Sequence, residues 1–117
     1  MQIYTCTVYG YPGLDITVKS GDKVFAPTWD LVMGYKKGRI SEAEYRKQYI
    51  ELMRASYRKN KARWLEVLAM PEVTLCCYCP WPDGKQQPFC HRFILAELLA
   101  AVGKANNIPV ELCGERA

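Results

Sequence analysis

Several things are scarce or missing in this 117-residue sequence. It has one histidine and no apolar run near the ~20 residues needed to cross a bilayer. Its first ten residues, MQIYTCTVYG, lack the basic region and apolar core of a signal peptide. There is no GxxxxGK phosphate loop, no GxGxxG dinucleotide fingerprint and no HExxH pair. These absences argue against a membrane-spanning chain, a P-loop nucleotidase, a dinucleotide-dependent dehydrogenase and a metalloprotease. They leave a cytoplasmic chain with a single imidazole available as base or ligand.

What is present is an ordinary globular mixture, half hydrophobic and about a quarter charged. The length suits one domain over residues 1–117 with a core of its own, without repeats or linkers. Six cysteines in a reducing compartment point away from a disulfide framework and toward packing, metal binding or thiol chemistry. The net charge of +4 is unevenly spread: residues 36–63 carry ten Lys and Arg against Glu42, Glu44 and Glu51. A basic helix at 41–63 is therefore a candidate surface for nucleic acid or an acidic protein, or simply a solvated face.

The local patterns alternate between strand and helix. Residues 3–9 are β-branched and aromatic and predict a strand, and 14–19 predict a second short one before a turn at Ser20–Asp22. Thr28 suits a helix cap and Gly38 its stop, while SEAE at 41–44 is a capping box that opens another helix. Tyr45, Tyr49, Leu52, Met53 and Ser56 then repeat at helical spacing, which favours a core-facing stripe. Trp64, Leu65 and Leu68 belong to a short helix ended by Pro71, and 72–78 have the run of a buried strand. HRFILAELLAAVGK is a helix with Gly103 near its end, and 108–113 make the last strand. The order predicts an α/β fold, a three-layer sandwich with a small, mainly parallel central sheet flanked by helices.

The span LCCYCPWPDGKQQPFCHR, residues 75–92, runs from a strand end to a helix start and holds four cysteines, the histidine and Arg92. In open α/β sheets ligands gather at such places, where helix amino termini present unpaired N–H groups. Cys90 is a candidate nucleophile, since a thiol at a helix start beside a guanidinium ionises more readily. Arg92 in a first helical turn calls for an anion beside it, so a small phosphorylated or nucleotide-like ligand is expected. His91 adjoins Cys90, and neighbours on a helix do not face each other, so its use as base to that thiol is not automatic. Cys77 and Cys79, two apart, point to the same side, whereas Cys76 points the other way and is assigned to core packing, as are Cys6 and Cys113. No cofactor is required by this reading. Zinc on Cys77, Cys79, Cys90 and His91 is the alternative, with spacing unlike that of zinc knuckles, and inert packing of the thiols is a further one.

Three tracts taken together, residues 14–57, WLEVL, and LCCYCP with FCHRFILAELL, resemble the bacterial and phage family called domain of unknown function 488. The resemblance covers nearly the whole chain. Its sharpest motif is a strand ending in Cys-aromatic-Cys followed by Cys-His-Arg at a helix start, here Cys77, Tyr78, Cys79, Cys90, His91 and Arg92. The tract APTWDLV fits as well, and the resemblance then adds Asp15, Pro27, Trp29 and Asp30 to the same pocket. Cys76 and the long WPDGKQQP loop depart from the family pattern. The family name implies no activity, so no substrate follows from it.

Overall fold

A computed structural model describes residues 1–7, 13–79 and 86–116. The elements run β1 (Gln2–Thr7), β2 (Leu14–Asp15), α1 (Trp29–Lys36), α2 (Glu42–Lys59), α3 (Lys61–Leu68), β3 (Glu72–Cys77), α4 (His91–Ala105) and β4 (Glu111–Glu115). The strands form one sheet in the order β2-β3-β1-β4, with every pairing parallel. The α/β class and the element order are as expected. The end of the expected strand 3–9, the turn at Tyr11 and Pro12, and most of the loop after Cys79 lie outside the described residues.

Topology decides where the helices go. The crossovers β2 to β3 and β3 to β4 step across the sheet in the same direction, and parallel crossovers are right-handed, so both sets of helices fall on one face. Accordingly Ile3, Val73, Leu75 and Cys77 of the sheet share one core with Leu31, Tyr49, Met53, Trp64, Leu95 and Leu99 of the helices. Among the described residues the layering is helix over sheet. The opposite face carries Tyr4, under the Arg116 guanidinium, and the buried Cys6 and Cys76, in register on neighbouring strands with sulfurs 2.8 Å apart.

The tyrosine stripe of α2 faces the core as expected. Tyr49 is fully buried and donates its hydroxyl to the Phe25 carbonyl at 2.6 Å. The caps also hold: Thr28 Oγ1 accepts from Leu31 N–H and Ser41 Oγ from Glu44 N–H. Only the Ser41 half of the expected capping box forms, since the Glu44 carboxylate accepts from Gln48 and does not reach back to Ser41. β2 stops after two residues because the Asp15 carboxylate captures the Thr17 N–H at 2.9 Å and the Ser20 hydroxyl at 2.7 Å, turning the chain away from the sheet.

Gly103 does not end α4, which runs on to Ala105; Asn107 takes the left-handed position at φ 60°. Gly103 is instead a point of close approach. A Cβ there would lie 2.6 Å from Val110 Cγ2 and 3.0 Å from the Ile108 carbonyl oxygen. Gly103→Ala is thus expected to cost about 1–3 kcal/mol despite the better helix propensity of alanine. Urea unfolding checks this, and an unchanged or raised midpoint contradicts the close approach.

Candidate functional site

β3 leaves the sheet at Cys77, whose side chain follows Val73 and Leu75 toward the helices. Cys79, two residues on, returns to the same side. Cys90 arrives from the other direction as the N-cap of α4, in extended backbone at φ −155°, ψ 144°. The three sulfurs lie within 4.8 Å of one another. Cys77 and Cys90 are buried, and Cys79 is half-buried.

His91 stands beside two of the three sulfurs. Its Nδ1 is 3.9 Å from both Cys77 Sγ and Cys90 Sγ, and its Nε2 is 2.6 Å from the Ile16 carbonyl oxygen. A carbonyl only accepts, so Nε2 carries the proton and the Nδ1 lone pair faces the sulfurs. Burial lowers the His91 pKa and favours the neutral ring, against the opposing pull of the Ile16 hydrogen bond. The rule that neighbours on a helix do not face each other fails here for a local reason. Cys90 lies before the helix rather than on it, and its extended backbone swings Sγ toward the imidazole.

The thiols are not equivalent. Hydrogen bonds from Cys77 and Cys90 hold Cys79 well below the ordinary thiol range, against burial and with help from the Arg92 charge. Cys90 is pushed up, chiefly because its own proton serves those bonds to Cys77 and Cys79, and also by burial. The readily ionised thiol is therefore Cys79. The upward shift at Cys90 runs opposite to the activation expected for it from sequence.

Arg92 has its anion already. Its side chain is fully buried, with Nε and Nη2 on the Glu115 carboxylate at 3.2 and 2.6 Å and Nη1 on the Cys79 carbonyl at 2.9 Å. The charge that the first turn of α4 calls for comes from β4 of the same chain. Arg92 thus fastens the Cys79 end of the site to β4, with its donors turned to the protein.

The cluster opens onto a cavity of about 170 Å³ walled by Thr17, Pro27, Tyr35, Lys36, Tyr45 and Phe89 among others. Pro27 arrives there as the family resemblance implies. Asp15, Trp29 and Asp30 are not among the lining residues. Asp15 organises the turn after β2, while Trp29 is 55% exposed and Asp30 sits in the exposed first turn of α1. Lys36, the lysine of the cavity wall, escapes sequence reasoning because it reads as one more solvated cation at a helix end.

A family model described as "Active DUF488-N3 subclade" matches residues 17–103. The chain belongs to the DUF488 family. The match takes in all of Cys77, Cys79, Cys90, His91 and Arg92 of this DUF488 domain, and the segment from α1 to Gly103 in α4. Glu115, which neutralises Arg92, lies beyond it. No curated protein and no solved structure matches the chain.

Proposed function

We propose that this DUF488 domain holds a thiophilic metal ion of the zinc class on Cys77, Cys79, Cys90 and His91 Nδ1. The observation that carries the reading is the convergence itself: three sulfurs within 4.8 Å of one another, and an imidazole nitrogen 3.9 Å from two of them. Zinc bonds of roughly 2.3 Å to sulfur and 2.0–2.1 Å to nitrogen set ligand–ligand separations near 3.5–3.8 Å, so the three sulfurs would draw in by up to about 1 Å, with His91 Nδ1 already close to Cys77 and Cys90. The Nε2–H bond to Ile16 is the outer contact that orients a metal-binding histidine and leaves Nδ1 to coordinate. The unfavourable sequence spacing does not weigh against this, since Cys90 comes from the far side of a loop and an extended cap.

A second reading rests on Cys79 and Lys36, which line the same cavity. With no metal bound, the half-buried Cys79 thiolate would attack the phosphorus of a small phosphorylated or nucleotide-like ligand drawn in by Lys36, forming an S–P bond as the P–O bond to the leaving alcohol breaks. The family model's description as an active subclade supports a site that does chemistry.

One experiment separates the two. In the metal reading, reduced protein carries zinc at about one equivalent, Co²⁺ substitution gives sulfur-to-cobalt charge-transfer bands, and a chelator is needed before the cluster thiols alkylate. Metal-free protein in which Cys79 alkylates well ahead of the half-exposed Cys113 rejects the metal and supports the thiol. If Cys79 also reacts no faster than Cys113, both readings fail.

A further inference from the structure

Away from the thiol cluster, α2, α3 and α4 enclose a groove of about 240 Å³. Met53, Trp64, Leu98 and Val102 line it with apolar surface, and Arg54 and Arg58, one turn apart on α2, line its exposed side. The arginines differ from most others in the chain. Arg46, Arg63, Arg92 and Arg116 are each ion-paired to a carboxylate of the protein. Among the described residues Arg54 and Arg58 have no such partner, though Glu51 sits on the same helix. They stand in the stretch whose ten cations face three acids.

We infer that this groove docks an acidic, amphipathic segment of another protein, with an apolar side chain in the groove and carboxylates on Arg54 and Arg58. Three features favour that occupant. The volume is below the ~300–1,000 Å³ of sites for drug-sized molecules, yet admits an anchoring side chain. A methionine in the floor adapts to varied apolar shapes. Two guanidiniums at i and i+4 match carboxylates spaced one turn apart on a bound helix, and guanidinium–carboxylate pairs are the strong, often bidentate kind.

Single-stranded nucleic acid fits less well, because bases stack on open aromatic faces. Trp64 is 1% exposed. Tyr57 meets Trp64 edge-on, and its ring lies under the Lys61 ammonium at 5.9 Å.

The test pans a random displayed peptide library on the full chain and counter-selects on the R54E/R58E variant, with R54Q/R58Q as the milder control. Recovered peptides are expected to carry carboxylates flanking an apolar residue and to lose at least about tenfold in affinity on R54E/R58E, and less on R54Q/R58Q. The thiol cluster is left untouched, since neither arginine is among the residues that wall its cavity. Peptides without an acidic bias, equal binding to the variants, or no enrichment overturns the inference. So does a labelled single-stranded oligonucleotide that binds through the same two arginines when no acidic peptide does.

Discussion

Glu115→Ala is expected to lower the stability of the domain by about 3–5 kcal/mol, the cost of stripping a buried cation of its counter-charge. Arg92 is fully buried and spends two of its nitrogens on that carboxylate. Without Glu115 the guanidinium keeps the Cys79 carbonyl, the Cys90 sulfur and the Phe93 ring, 4.4 Å from its carbon, none of which is a carboxylate. Chemical denaturation monitored by circular dichroism reads the loss, and a drop under about 1 kcal/mol means that water reaches Arg92 freely. The double variant Arg92→Met, Glu115→Leu tells stability from function. Replacing a buried pair by apolar groups of similar size is often neutral, so most of the stability returns. The Cys79 carbonyl still lacks its donor, so metal affinity stays below that of wild type. Full recovery of both properties would show that Arg92 does nothing for the cluster.

The second large effect concerns the cluster itself. Structural zinc sites yield roughly 10–16 kcal/mol of binding free energy from four ligands, so the loss of one ligand weakens binding by about two orders of magnitude or more. Cys77→Ser, Cys90→Ser and His91→Ala are each expected to show this in competition with a chromophoric chelator. On the zinc reading the metal binds the folded chain alone, so zinc at a hundredfold excess over its dissociation constant is expected to add about 2.7 kcal/mol to wild-type stability. Variants lacking a ligand forfeit that increment. Cys76→Ser is the control: its sulfur lies on the other face of the sheet beside Cys6, so zinc affinity stays unchanged whatever happens to stability. If zinc shifts the melting temperature of Cys90→Ser as much as that of wild type, the metal is elsewhere or absent.

Much of this was legible beforehand because it depends on short-range rules. The caps at Thr28 and Ser41, the stop at Gly38 and the two-residue alternation that sends Cys77 and Cys76 to opposite faces are local in origin. Where the expectation and the structure differ, a side-chain or backbone choice outweighed the hydrophobic pattern. The Asp15 carboxylate took Thr17 N–H and the Ser20 hydroxyl and cut the second strand short, and Cys90, an extended cap just before α4, turned its sulfur toward His91.

The sequence by itself determined the α/β alternation, the family motif, the burial of the tyrosine stripe and the place where a strand end meets a helix start. Hydrophobic period, capping chemistry and chain order act over a few residues and can be read from them. Only the tertiary structure decided which groups the motif residues meet. It set His91 Nε2 against the Ile16 carbonyl, so that Nδ1 turned to the sulfurs, and it paired Arg92 with Glu115. It also made Cys79 the acidic thiol in place of Cys90. Each of these turns on which hydrogen-bonding group from another element fills a buried valence, and spacing along the chain carries no record of that choice.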